Sequence, residues 1–128
     1  QSRWRQVEFD FMMPPASVHV GMASDKLVQI LLNLCLNSCV AMAGSGKLRL
    51  SCEQVDSSIE IYVDDTGPGV PKELRREIFE PFFTTREAGE GTGLGLSVCE
   101  SILHSVDGRI WVETSPLDGA RFVISLAG

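Results

Sequence analysis

No stretch of this 128-residue chain holds the ~18–20 consecutive apolar residues that a membrane-spanning helix needs. Residues 1–20 lack the succession of charged, apolar and small residues that marks a secretory leader. The expectation is a cytoplasmic domain without direct membrane contact, whose parent protein could be membrane-tethered. An excess of positive charge is also missing. Eleven Lys and Arg stand against 17 Asp and Glu, for a formal charge of −6, which argues against nucleic acid as the partner. A polyanion could still be held, but only by backbone donors, a metal ion or a few arginines. Histidine is scarce, with His19 and His104 alone, and the four cysteines Cys35, Cys39, Cys52 and Cys99 show no CxxC spacing. A metal cluster is therefore not expected, and the thiols read as small buried side chains in a reducing compartment. Neither GxxxxGK[ST] nor GxGxxG occurs, which speaks against a Walker-type ATPase and a Rossmann domain. No internal repeat and no low-complexity tract is found.

What is present suits one domain with one core, at 44% apolar residues. Val7, Phe9 and Phe11 alternate with Glu8 and Asp10 as in a strand that Pro14-Pro15 breaks, and Val18 to Val20 reads as a short second one. Ser24 offers a helix N-cap with Asp25 in the first turn; Leu27, Ile30, Leu31, Leu34, Ser38 and Ala41 continue as a helical stripe that Gly44-Ser45-Gly46 ends. Val28, Leu32, Cys35, Leu36, Cys39 and Val40 flank that stripe, which predicts a helix buried all round. Leu48, Leu50 and Cys52, then Ile59, Ile61 and Val63, alternate with polar residues as a hairpin. Pro71 suits the start of a short helix over residues 72–79, stopped by Pro81. Residues 83–95 have the composition of a mobile loop, Leu96 to Val106 reads as a helix, and Ile110 to Thr114 with Phe122 to Leu126 close the chain as two strands around a Pro116–Gly119 turn. Each strand run has one apolar and one polar face. The predicted class is α+β, a two-layer α/β sandwich with a mixed sheet covered on one face by helices.

Four segments carry possible chemistry. Asn33 and Asn37 interrupt the apolar first helix one turn apart on one face. They either bond to each other or to a loop backbone, or they line a cleft that receives a hydrated cation with its phosphates. In Asp65-Thr66-Gly67-Pro68-Gly69 the parity of Ile59, Ile61 and Val63 aims Asp65 at the covered side and Asp64 at solvent. Asp65 either starts a turn or accepts from a ligand such as an adenine amino group, with the glycines admitting a flat base. Gly91-Thr92-Gly93-Leu94-Gly95-Leu96-Ser97 runs into a helix, so bare N–H groups and a helix N-terminus could meet an anion. Phe79 to Phe83, followed by Thr84, Thr85 and Arg86, either packs the core or anchors a lid whose arginine reaches phosphate oxygens.

Taken in order, these segments resemble the catalytic ATP-binding domain of bacterial sensor histidine kinases, within the family that also holds gyrase and mismatch-repair ATPases and shares the Bergerat fold. Leu31 to Ser38 resembles the N box, Asp65 to Gly69 the first glycine box, Phe79 to Phe83 the F box and Gly91 to Ser97 the second glycine box. The likeness runs from about Val7 to Leu126, so that residues 7–128 are the domain and residues 1–6 a linker stub. It implies Mg²⁺ on Asn37, phosphates near Asn33, and the adenine amino group on Asp65 with Gly67 and Gly69 bordering the base. It further implies phosphates on the amides of Gly91, Gly93, Leu94, Gly95 and Leu96 beside Thr92, and a lid over 82–92 that includes Phe83, Thr84, Thr85 and Arg86. Asn33 stands where the hydrolysing relatives place a glutamate, and an amide cannot take a proton from water near neutral pH. Slow hydrolysis is therefore implied, with ATP kept for transfer. Ser38 stands where alanine is usual, Val40 and Glu90 where basic residues are frequent, Val106-Asp107-Gly108 where His-Gly-Gly is common, and Ala120 where some relatives carry a hydroxyl.

The expected function is donation of the γ-phosphoryl group of Mg-ATP to a histidine on a separate dimerisation domain, with a response regulator downstream. Neither His19 nor His104 resembles the acceptor, which begins a His-Glu-led helix. The alternatives are an ATP-driven clamp and a nucleotide-binding interaction module without transfer.

Overall fold

A computed structural model describes residues 6–12, 22, 24–81 and 95–127. Among them five strands form one sheet in the order β1-β2-β3-β5-β4, from β1 (Gln6–Phe11), β2 (Ser45–Val55), β3 (Ser58–Asp65), β4 (Arg109–Thr114) and β5 (Ala120–Ala127). β1 runs parallel to β2 and the other pairs are antiparallel, so the sheet is mixed as expected. β1 begins at Gln6, opposite Ser45, one residue earlier than the alternation suggested. The short strand expected at Val18 to Val20 lies outside the described residues.

Two helices, α1 (Ser24–Ala41) and α2 (Gly95–His104), lie on one face of the sheet. Ile30 and Leu34 of α1 and Cys99 and Leu103 of α2 are fully buried against Leu48, Val63, Phe122, Ile124 and Leu126 of the strands. Phe79 closes this core edge-on to Phe122, with ring centroids 6.4 Å apart. The alternation of apolar residues in β2 to β5 is thus read out directly, since the period of two sends every second side chain to the helix side.

Ser24, expected just before the helix, is its first residue. Both helices end in the same hydrogen-bond pattern, a six-residue closure with a four-residue closure nested inside it around a left-handed residue. In α1 the N–H of Gly44 donates to the Cys39 carbonyl and that of Ala43 to Val40; in α2 Gly108 donates to Leu103 and Asp107 to His104. The left-handed position is held by Ala43 (φ 56°) and Asp107 (φ 59°), with the glycine one residue later. A side chain at Gly108 would stand 2.8 Å from a Leu126 methyl carbon, so this glycine lets the end of α2 rest on β5.

Two expectations are corrected. α1 is not buried all round: Val28, Leu32 and Leu36 are 54, 58 and 50% exposed. They form an i, i+4, i+8 row on the far side from the sheet, where none of the described residues covers the single helical layer. Residues 72–79 do not form a continuous helix. They make two 3₁₀ turns, Lys72–Leu74 and Glu77–Phe79, closed by i→i+3 bonds such as Leu74 N–H to the Pro71 carbonyl and Phe79 N–H to Arg76. A segment this short between Pro71 and Pro81 gains few α-helical bonds for the cost of nucleation. It takes its shape instead from buried Ile78 and Phe79 and from Arg75, whose guanidinium holds the Val70 carbonyl and the Thr114 hydroxyl at 3.0 Å each.

Candidate functional site

Asp65 ends β3 on the covered face, opposite Leu48 of β2, as strand parity requires. It is 1% exposed. Its Oδ1 accepts two backbone hydrogen bonds, from the N–H of Gly67 and of Ala120, each 2.9 Å long. The first makes Asp65 the head of its own turn; the second ties that turn to the start of β5, 55 residues on. Gly69 has φ 76°, a left-handed conformation that a β-carbon would strain. Thr66 fastens the other side: its Oγ1 accepts from the Lys47 N–H at 3.1 Å and donates to the Met42 sulfur at 3.5 Å.

Asp64 corrects the expectation of a solvent-facing carboxylate. It points to the opposite face, as parity predicts, but it too is 1% exposed. Arg121, its cross-strand partner in β5, covers it with a bidentate pair, Nε to Oδ1 at 2.7 Å and Nη2 to Oδ2 at 3.1 Å. The Ser115 hydroxyl donates to Oδ1 at 2.8 Å. The bond to Asp64 raises the already high Arg121 pKa further against the opposing effect of burial, so the guanidinium stays charged. Arg121 also lies 4.2 Å above the Tyr62 ring, a cation–π contact. Asp64 and Asp65 therefore grip the 115–120 turn from opposite faces of the sheet.

Gly119 makes that grip possible, and the sequence marked it only as a turn residue. A β-carbon there would overlap the Asp65 carbonyl and Oδ1 and come within 2.6 Å of the Gly67 nitrogen. Gly119→Ala is expected to push the turn off the Asp65 loop and to cost about 2–3 kcal/mol, the scale of an overpacked site. Chemical denaturation checks it; a midpoint equal to that of the parent chain would show that the turn does not need the contact.

α1 runs past this loop. Met42 touches both Thr66 and the space at Gly67, where an added β-carbon would sit 3.3 Å from Met42 Cγ. Further back, Asn33 donates its amide to the Cys99 sulfur of α2 at 3.7 Å. The Asn33 partner is thus a thiol, neither the second amide nor a loop backbone. Asn37 lies one turn on, half-buried and itself engaged within the protein. Gly95, exposed, opens α2 with free space where a side chain would stand, and Leu96 behind it packs on the core. The N-terminal turn of α2, which holds Gly95 and Leu96, precedes Cys99, so α1 links Asn33 and Asn37 to α2 at one end and to Asp65 at the other. Phe83, Thr84, Thr85, Arg86, Gly91, Thr92, Gly93 and Leu94 lie outside the described residues.

The thiols in this region are poor nucleophiles. Burial, with Cys39 adding to it, pushes Cys35 up to about 11; burial also raises Cys39, beside Asp65, and Cys99 in spite of its bond from Asn33. A cavity of about 930 Å³ opens elsewhere, between Arg76, Phe79, His104 and Trp111 at the β4 edge; of the four candidate segments only Phe79 lines it, and neither Asn33, Asn37 nor Asp65 does.

A mixed sheet under two helices, with a buried aspartate leading a glycine turn beside an asparagine-bearing helix, defines the class of two-layer ATP-binding domains. The chain belongs to the family described as histidine kinase-, DNA gyrase B-, and HSP90-like ATPases, which matches residues 22–127, and within it the chain is a sensor histidine kinase catalytic ATP-binding domain of two-component signalling. It is 34% identical over 122 residues to the sensor histidine kinase ZraS of Escherichia coli O157:H7, across 95% of this chain and 26% of that protein. It spans about a quarter or less of the length of several such curated relatives, among them AtoS of Escherichia coli K12 at 16%. Its fold is similar to the catalytic domain of the histidine kinase ThkA, with a TM-score of 0.84, 32% identity, and coverage of 95% of this chain and 79% of that one. It is also similar to full-length ShkA in complex with AMPPNP, at TM-score 0.81 and 28% identity over 94% of this chain and 25% of that one. ThkA has also been solved with the response regulator TrrA.

Proposed function

We propose that this domain binds ATP with Mg²⁺ and donates the γ-phosphoryl group to a histidine carried by a separate helical dimerisation domain. The observation that carries the reading is Asp65: a carboxylate buried on the helix side of the sheet, held by two backbone amides through one oxygen, in a loop whose glycines admit a flat ring. The two amides orient the carboxylate, and the adenine amino group donates to it. Gly67 and Gly69 keep side chains away from the base.

Mg²⁺, when bound, neutralises phosphate charge and orients the leaving group. The residues present fit such an ion. Among the described residues no group of three His, Cys, Asp or Glu gathers to hold a cation by protein alone. A neutral amide plus phosphate oxygens and water suits an ion that keeps much of its hydration. Asn37 supplies that amide oxygen. Asn33, tied to Cys99, stands one turn away on the phosphate side and offers no base to activate water. Backbone N–H groups from Gly91 to Leu96 and the N-terminus of α2 hold the phosphates. Phe83, Thr84, Thr85 and Arg86 belong to a lid that excludes water. In the transfer the bond from the γ-phosphorus to the β–γ bridging oxygen breaks, a phosphorus–nitrogen bond to the imidazole forms, and ADP leaves. This domain contributes positioning and charge neutralisation rather than a covalent step. A response regulator then takes the phosphoryl group from the histidine. The reaction belongs in the cytoplasm, where ATP is supplied.

Incubation with γ-labelled ATP and a histidine-bearing dimerisation domain tests the reading. Acid-labile, base-stable label on that domain is expected; tight ATP binding with no transfer to any such domain would leave a nucleotide-binding module. Asn37→Ala is expected to weaken ATP about tenfold with Mg²⁺ present and hardly at all in EDTA, on the scale of one lost charge-assisted contact. Equal losses under both conditions would remove the metal role from Asn37.

A further inference from the structure

Cys99 of α2 is 0% exposed, and its side chain is hydrogen-bonded twice to α1. The thiol donates to the Ile30 carbonyl at 4.0 Å, and its sulfur accepts from the Asn33 amide at 3.7 Å. Burial raises the thiol pKa in spite of the Asn33 bond, so the proton stays on sulfur. A thiol has one proton to give. With that proton on Ile30, the sulfur meets Asn33 only as an acceptor, and the end of the amide that faces it must be the NH₂ group. The carbonyl oxygen Oδ1 is then the end turned away from Cys99. Among the described residues nothing donates to that oxygen, and Asn33 is only half-buried. Cys99 lies one turn after Gly95, the first residue of α2. The contact therefore joins the asparagine-bearing face of α1 to the beginning of the helix whose N-terminus faces the phosphates.

We propose that Cys99 is a positioning residue: it takes the NH₂ group of Asn33 and so sets the Asn33 carbonyl oxygen, an acceptor, toward the Mg-ATP cleft. The inference rests on the nucleotide reading of the site. An unrestrained asparagine beside bare phosphate turns its NH₂ group to the negative oxygens. Held the other way round, it faces the hydrogens of water on a cation, and Mg²⁺ keeps several such waters when it binds phosphates. The clamp thus favours the metal-loaded nucleotide over the bare one. A thiol suits the task, because it packs between two helices as a small apolar side chain while still offering a weak donor and a weak acceptor. Valine in its place fills the same space but leaves the amide free to turn.

The test is Cys99→Val in the whole domain, which nearly conserves volume at this buried position and removes the acceptor. The change is expected to weaken Mg-ATP ~5-fold, the scale of one net hydrogen bond. No loss is expected for ATP in EDTA, and none for AMP, which reports on the base end of the cleft. Calorimetric titration measures all three. Cys99→Ser, whose hydroxyl both donates and accepts, should bind Mg-ATP within about twofold of the parent. In an Asn33→Ala background, Cys99→Val should change Mg-ATP affinity by less than about 1.5-fold, because no amide is left to hold. Parent-like Mg-ATP affinity in the single Cys99→Val variant would overturn the proposal. An equal loss for AMP or in EDTA, or the full loss without the Asn33 amide, would overturn it too and make Cys99 a packing residue. If the parent domain binds no ATP, the nucleotide reading itself fails, which the first titration establishes before any variant is compared.

Discussion

Asp65→Asn is expected to cut ATP affinity by roughly 10–100-fold while the domain stays folded. An asparagine can present its carbonyl to the N–H groups of Gly67 and Ala120, which now share Oδ1. The new amide nitrogen then replaces Oδ2, and its hydrogens meet those of the adenine amino group. Loss of a hydrogen bond to a charged acceptor is worth about 1.5–3 kcal/mol, and each 1.4 kcal/mol is about tenfold. The contact lies at the base end of the cleft, so AMP should lose as much as ATP. Asp65→Ala is different in kind, since it strips two buried amides of their acceptor and should lower thermal stability as well as binding. Titration calorimetry beside a thermal melt separates the two. An asparagine variant that binds ATP within twofold of the parent would remove Asp65 from base recognition.

The largest loss of stability is expected on the other face. Arg121→Ala leaves the Asp64 carboxylate, 1% exposed, with the Ser115 hydroxyl and no counter-charge. Breaking a buried pair by removing one member typically costs about 3–5 kcal/mol. The Arg121 side chain is 24% exposed, so water can partly replace it, and the low end, about 3 kcal/mol, is expected. The Tyr62 ring loses its cation at the same time. A double variant, Asp64→Asn with Arg121→Gln, should lose less than Arg121→Ala alone, because no buried charge is left behind. Denaturant midpoints for the set decide; a single variant within 1 kcal/mol of the parent would make the pair a surface ornament.

These two cases divide what was legible in the chain. That Asp65 faces the helices follows from alternation: Ile59, Ile61 and Val63 fix the parity, and Asp65 inherits it. That Asp64 faces away follows in the same manner. Its burial does not, because the residue that covers it lies 57 positions later and arrives only through the register of β3 with β5. Gly119 is a second instance. In the sequence it closes a turn; in the fold it is the place where that turn meets the Asp65 carboxylate. The 72–79 segment failed for a related reason, since local propensity favoured a helix while Ile78, Phe79 and the Arg75 bonds held two tighter turns.

The sequence by itself determined the two-layer class, the strands of the sheet, the family and the face on which Asp65 stands. All of these depend on periods of two and about 3.6 residues and on short motifs, which are local properties of the chain. Only the tertiary structure decided which side chains answer one another: Arg121 and Ser115 for Asp64, Ala120 for Asp65, Cys99 for Asn33, and no described partner for Ser38. It also left Val28, Leu32 and Leu36 exposed where the composition of α1 suggested burial. The physical reason is that a side chain's orientation is set by its own backbone, whereas its solvation and its partners depend on segments that come close only when the sheet closes.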